Sequence, residues 1–457
     1  MVNKLPFILC PTYSSTSYKS KETREWVESM ITNKNRWLIA ISAIAIHLSI
    51  GSTYAYSVYS KPIGESIGWK ATEVSLAFTI AIAFLGLSAA TFGRMVERIG
   101  PRKSAMIAAV LFSTGQVGAG FAVSIESLPL FLIMYGVVGG IGLGIGYISP
   151  VSTLVKWFPD RRGLATGMAV FGFGAGALVT SPIAARLIES VGVHTTFYIL
   201  GTCYFILMLS GASYITRPPQ GWAPKVQATI KESNTKKPKE DLAQLTANEA
   251  IKTKRFWLLW GMIFINISSG IMIISVASPL SQEMVGLNVA AAASMVGLMG
   301  IFNGGGRIGW SSASDYIQRP TVFLIFFSIQ IFAFLTLPHV TNVILFQILI
   351  FSIMTVYGGG FATLPAFIGD MFGTKELGAI HGYILTAWSL AGVVGPIVVS
   401  YIHDSTGTYT PAFLVFTLLL VVALFLTILI RYDIQKIKHH KKIKELNVVA
   451  QYNDTMH

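Results

Sequence analysis

The sequence predicts an all-α membrane protein with twelve transmembrane helices in two six-helix halves. Charge is the first observation: 12% of the 457 residues are charged and 53% are apolar. A soluble domain carries roughly 25% charged residues, so this chain is built to face lipid. The second is a succession of twelve apolar runs, each near the roughly 20 residues that cross a bilayer core. The third is an internal repeat. Gly144, Pro150, Gly163 and Gly167 recur 215 residues later as Gly359, Pro365, Gly378 and Gly382, and Pro182 returns at Pro396, one residue short. Each half also opens alike, Asn35-Arg36-Trp37 against Arg255-Phe256-Trp257.

Residues 1–35 are polar and basic except for Leu5–Cys10, a patch too short for a signal-peptide core or a span. A disordered cytoplasmic extension is expected there. The first half, 36–215, has spans expected near 37–59, 73–93, 104–123, 128–150, 163–188 and 194–215. The second, 255–431, has them near 256–279, 289–312, 321–337, 341–364, 378–402 and 411–431. Between them, 216–254 is a connector too charged to cross, with Lys236, Lys237, Lys239, Glu240 and Asp241 and an amphipathic stretch before the seventh span. Residues 432–457 form a basic tail. The 43 glycines suit helices that approach one another closely. Duplicated halves of this kind place a substrate site at their interface, near mid-membrane.

The net charge of +13 raises the question of nucleic acid, and its distribution answers it. Lys61, Lys70 and Arg186 fall at one face and Arg307 at neither, which leaves 30 of the 34 Lys and Arg on the side of the termini and connector. By the positive-inside rule both termini are cytoplasmic, in the bacterial inner (cell) membrane. The basic tail suits an anionic leaflet. It lacks the aromatic interleaving of nucleic-acid binders. Cys10 and Cys203 have no metal-ligand companions, so neither a disulfide nor a metal site is expected. No catalytic triad, cofactor loop or appended soluble domain is seen, so the expectation is a transporter and not an enzyme. The alternative from another class is a membrane sensor in a transporter-like body. A monomer is the default.

The loop after the second span reads Gly93-Arg94-Met95-Val96-Glu97-Arg98-Ile99-Gly100-Pro101-Arg102-Lys103. It resembles the signature loop of the major facilitator superfamily, with Glu97 where Asp is commoner. An acid there can pair with Arg and with a facing helix N-terminus, latching one conformation. Glu97, Arg98 and Arg102 are the candidate latch, with Asp315 in the weaker copy Asp315-Tyr316-Ile317-Gln318-Arg319. Gly51-Ser52-Thr53-Tyr54-Ala55-Tyr56-Ser57-Val58, Tyr147-Ile148-Ser149-Pro150 and Lys156-Trp157-Phe158-Pro159-Asp160-Arg161-Arg162-Gly163 narrow the likeness. So do Asn303-Gly304-Gly305-Gly306-Arg307 and Leu385-Thr386-Ala387-Trp388. Over about residues 35–431 the chain resembles the oxalate/formate antiporter family, which includes bacterial monocarboxylate and lactate carriers.

Arg307 lies deep in the eighth span. A charge there costs at least a few kcal/mol, so it faces an interior cavity with a partner or a function. No Asp or Glu lies in the middle of a span, so an unpaired guanidinium would suit a carboxylate ligand, gripped through two parallel hydrogen bonds. Snorkelling toward the surface near Asp315 is the alternative. The resemblance implies the same ligand, because an Arg after this Gly run is the substrate-binding cation in that family. Asn303, one turn earlier, could donate to the second carboxylate oxygen or serve packing.

Oxalate exchange in the resembled family uses a second cation, a lysine in the eleventh span, and Trp388 stands at that position here. A dianion held by Arg307 alone would keep one charge uncompensated. The expected substrate is therefore a monocarboxylate, lactate or formate, moved by alternating access with no cofactor and with a co-transported proton as one coupling option. Oxalate/formate exchange is the alternative. Tyr54, Tyr147, Tyr357 and Trp388 are candidate cavity walls. His381 and His47 are the candidate proton carriers, with His381 expected at a loop end and His47 as a packing residue.

Overall fold

The computed structural model describes residues 34–219, 222 and 241–454. The N-terminal extension through residue 33, the connector stretches 220–221 and 223–240, and 455–457 lie outside them, as does Cys10. Regular structure among the described residues is entirely helical. The first span is Arg36–Gly51, continued through a tight turn by Ser57–Ile67; the second is Ala71–Ile99 and the third Pro101–Ser124. The fourth runs from Leu128 to Trp157 and widens over Leu132–Val138. Arg162–Val191 and Val193–Tyr214 complete the first half. The second comprises Lys254–Val285, Val289–Ala313, Arg319–Thr336, Val343–Phe372, Leu377–Thr406 and Thr410–Asp454. Eleven of these meet the length and composition of a membrane span, and the eighth, which carries Asn303 and Arg307, completes the twelve.

The local sequence sets where the helices begin. Side chains of Asn35, Thr253, Asn288 and Asn342 accept hydrogen bonds from first-turn amides of spans one, seven, eight and ten. Each satisfies a donor that helix geometry leaves without a partner. Between spans two and three the chain reverses at Gly100, at φ 87°, and Pro101 opens the next helix. This pairs the residue that tolerates positive φ with the residue preset for a first turn.

Several spans extend past the expected ends, to Ile99, Trp157 and Phe372, and the twelfth continues as helix to Asp454. The basic tail is thus helical and continuous with the last span. Apolar runs end where charge begins, but backbone hydrogen bonding does not. Among its described residues the connector contributes a single short helix, Ala247–Ala250, with Thr246 and Glu249 forming a reciprocal cap. The Thr246 backbone and hydroxyl, donating to the Glu249 carboxylate, hold its pKa below the usual value.

The halves meet along two seams, span two on span eleven and span five on span eight. Four of the repeated glycines, Gly163, Gly167, Gly378 and Gly382, lie in these seams, whereas Gly144 and Gly359 pack against helices of their own halves. A methyl group on Gly382 would run into the Ala89 carbonyl, and one on Gly167 into the Ser311 side chain. The repeat read from the sequence is thus the requirement for close backbone approach at both crossings.

Candidate functional site

Arg307 is buried to 1% exposure between the halves. Its Nη1 donates to the Val170 carbonyl of span five at 2.7 Å and its Nε to Asn303 Oδ1 at 3.1 Å. Helix periodicity places Asn303 one turn away on the same face. Among the described residues no carboxylate pairs with Arg307, and its Nη2 has no hydrogen-bond partner. The guanidinium therefore turns inward to the seam, and Asp315 is engaged elsewhere. Two glycine-rich stretches make room for it. A side chain on Gly174 would press on the guanidinium, and one on Gly358 on Asn303 and the arginine stem. Both stretches read in the sequence as packing only. Their clearance for Arg307 depends on a partner helix in the other half, which no local pattern reveals.

An aromatic box borders the arginine. Trp388 packs against Tyr54 (6.4 Å between ring centres), Tyr147 (5.5 Å), Phe173 (5.7 Å) and Phe361 (4.7 Å), and the guanidinium lies 5.7 Å from the Phe361 ring. Tyr357 joins the box through Phe361, with 5.3 Å between ring centres, so each of the three tyrosines touches one of the two packed rings, Trp388 and Phe361, beside Arg307. The six candidate binding residues are thus brought to one place, from spans one, four, eight, ten and eleven. Phe173 and Phe361 were missed; nothing separates them in sequence from lipid-facing phenylalanines.

The two histidines differ. His47 stacks on Tyr147 at 5.1 Å, bonds its Nε2 to the Tyr147 carbonyl at 3.1 Å, and turns Nδ1 toward the Ala169 carbonyl without closing a good bond. This is a packing arrangement. His381 corrects the loop-end expectation. It is fully buried one turn into span eleven, 5.8 Å from the Tyr147 ring, and neither ring nitrogen has a partner. Span eleven starts at Leu377, so three residues after Gly378 the chain is already helical and covered by the facing half.

At the end of the bundle that carries the connector, two carboxylates cross the seams. Glu97 Oε1 accepts from the Gly378 amide (2.8 Å) at the start of span eleven, and its Oε2 pairs with Lys156 (2.6 Å). Asp315 accepts from the Gly163 and Leu164 amides (2.8 and 3.0 Å) at the start of span five, and from Arg319 (2.8 Å). The two contacts are counterparts under the internal repeat. Each places an anion at a helix N-terminus, where orphan amides and the helix dipole favour it. Arg162 bridges Asp241 (2.5 Å) and Asp370 (3.1 Å), while Arg319 also binds Asp370 (3.0 Å). Arg98 and Arg102 are exposed and, among the described residues, make no side-chain bond across the seam. Lys156 and Arg94, the latter paired with Glu376 at 3.8 Å, stand where the expectation put them. Lys156, on span four, is largely covered, and Arg94, one turn before Arg98 on span two, remains partly exposed.

Comparison with known proteins agrees with this architecture. The chain is 28% identical over 366 residues to the oxalate:formate antiporter of Oxalobacter formigenes, covering 79% of this chain and 83% of that one. It is 28% identical over 328 residues to monocarboxylate transporter 12 of Xenopus laevis, covering 68% and 69%. In fold it is similar to FucP, a Major Facilitator Superfamily transporter solved in the outward conformation, with a TM-score of 0.66 at 12% identity, covering 86% of this chain and 98% of that one. The family profile matches residues 41–393 and 310–450. Two helical halves closed on each other by paired carboxylate caps, with Arg307 buried between them, together with that match, make this chain a transporter of the Major Facilitator Superfamily.

Proposed function

We propose that this transporter carries a small monocarboxylate, lactate or formate, by alternating access, with Arg307 holding the carboxylate between the halves. The observation that supports it is the buried guanidinium with one end of its fork unpartnered, no carboxylate beside it among the described residues, and the Phe361 ring, backed by Trp388, as its aromatic neighbour. One positive charge matches one negative charge, whereas a dianion would bring an uncompensated charge into a dry site. Asn303 holds Nε, which presents the other edge of the planar fork to a ligand. Relatives named for monocarboxylate transport and for oxalate:formate exchange both handle carboxylates. The basic residues at the connector end make that end cytoplasmic in the bacterial inner membrane, and the caps at Gly163 and Gly378 then close the cytoplasmic side. His381 is the candidate for proton coupling, since both its ring nitrogens are unpartnered whereas His47 Nε2 is taken by the Tyr147 carbonyl.

Exchange of oxalate for formate is the second reading, favoured by the 28% identity to the antiporter. Uptake of labelled lactate, formate and oxalate into proteoliposomes, with and without a pH gradient, separates the two. Monocarboxylate uptake that oxalate does not compete for supports the first reading, and strong oxalate competition the second. Arg307→Ala is expected to lose at least about 99% of uptake, because a buried charge-assisted pair is worth about 3 kcal/mol or more. Undiminished uptake by that variant overturns the role given to Arg307.

A further inference from the structure

We propose that Tyr147 and His381 form a second subsite beside Arg307, which takes the C2 oxygen of a 2-hydroxy or 2-oxo monocarboxylate. The proposal rests on the monocarboxylate reading above and narrows it to a substrate class. Its basis is a cluster of buried polar atoms that the fold leaves without partners. Tyr147 is 1% exposed and His381 0%, yet the tyrosine hydroxyl and both imidazole nitrogens make no hydrogen bond. Native interiors rarely leave such atoms unpaired, and those that remain call for a water, an ion or a ligand. Here the unpaired atoms come from two helices on opposite sides of the seam, with Tyr147 against the Trp388–Phe361 pair that borders the cation.

Local packing explains why they stay unpaired. Span eleven is pinned on either side of His381, by the Glu97 bond to the Gly378 amide and by the close approach of Gly382 to Ala89. Tyr147 is wedged between His47, Phe173 and Trp388, with its backbone carbonyl used by His47. Both side chains are buried in this packing without reaching a protein partner. The Tyr147 ring lies 5.8 Å from His381 and 5.5 Å from Trp388, so one tyrosine links the imidazole to the aromatic box at Arg307.

The donor set suits an oxygen next to a carboxylate. A phenol donates one hydrogen bond, and neutral imidazole offers one donor and one acceptor. A keto oxygen needs only donors, and a hydroxyl also needs an acceptor, which the imidazole supplies. Formate, acetate and propionate have no such oxygen. Sites built to bond a substrate hydroxyl reject the analogue lacking it, because their own buried groups then stay unpaired. Purely apolar walls make no such distinction.

Propionate has the shape of lactate without its hydroxyl, so the test is a ratio. Uptake of labelled lactate and of labelled propionate is measured in proteoliposomes for the parent, Tyr147→Phe and His381→Leu. The parent is expected to favour lactate by at least about tenfold in kcat/KM. Each variant is expected to lower that ratio about tenfold whatever its total uptake, and folding is read separately from monodisperse elution of the purified variant in detergent. If the variants fail to fold, the parent's ratio of pyruvate and lactate to propionate and acetate still decides. A parent that does not discriminate, or variants that keep its ratio, overturn the subsite. Loss of both substrates in Arg307→Ala with an unchanged ratio in the two variants would overturn the subsite and leave the carboxylate reading standing. A parent that takes up no monocarboxylate overturns both.

Discussion

Arg307 and Trp388 divide between them what this site can accept. The arginine supplies a planar fork, of which the protein uses Nε and Nη1. Lysine offers only a point charge, so Arg307→Lys should keep charge but lose the two-point grip. Uptake is expected to fall about 10- to 100-fold, chiefly through KM, as read from concentration dependence in proteoliposomes. Trp388 stands in ring contact with Tyr54, Tyr147, Phe173 and Phe361. Trp388→Lys would put a second cation into that box. Oxalate should then compete at least about tenfold better, and monocarboxylate uptake should decline because a buried charge is left unmatched. Competition curves with the two anions check this directly. The sequence located Arg307 because a charge deep in an apolar run stands out, and the family resemblance pointed to Trp388 as the residue standing where that family has a lysine. Phe173 and Phe361 did not stand out, since apolar residues in apolar helices carry no signal of the cavity they face.

At the level of single elements, the helix starts are where the halves are joined. Span five begins at an Asp315 cap and span eleven at a Glu97 contact, so each helix N-terminus is satisfied by a carboxylate of the other half. A carboxylate at a helix N-terminus contributes about 1–2 kcal/mol in partly buried geometry. Asp315→Asn removes the charge and keeps an acceptor, so it should shift the open-to-closed ratio at that end by about 5- to 30-fold. Alkylation of a cysteine at Ser152, which is buried against Glu97, would report it as a faster rate. Cys10 and Cys203 would be replaced by serine first. A separate polar set, Ser269, Gln330 and Asn266, bonds spans seven and nine at 2.6 and 2.8 Å. Gln330→Leu should destabilise by only about 1–2 kcal/mol, the scale of interhelical hydrogen bonds in membranes. Thermal melts of purified protein should drop by a few degrees with uptake retained.

For the whole molecule, the two seams decide which side is closed. Close approach at Gly167 and Gly382 lets the halves meet at the connector end, and the hydrogen bonds described between them reach inward as far as Val170 and the Ser389–Ile82 contact at 2.8 Å. Gly382→Val would insert a branched side chain against the Ala89 carbonyl. Each half keeps its own packing, so the protein should still fold, but the seam should not close. Expected results are loss of uptake and a Ser152→Cys site that alkylates without protection. Twelve spans, two halves, the family likeness and the lone deep cation were all legible in the sequence, because hydropathy, charge bias and repeat spacing are properties of the chain alone. What the sequence could not decide was which atoms face each other across the seam. The tertiary structure put His381 inside and not at a loop end, replaced Arg98 and Arg102 by Lys156 and Arg94 beside the carboxylates, and left Tyr147 and His381 without partners. These outcomes depend on the rotation of one helix against another in the opposite half, and that is fixed only when both backbones are packed.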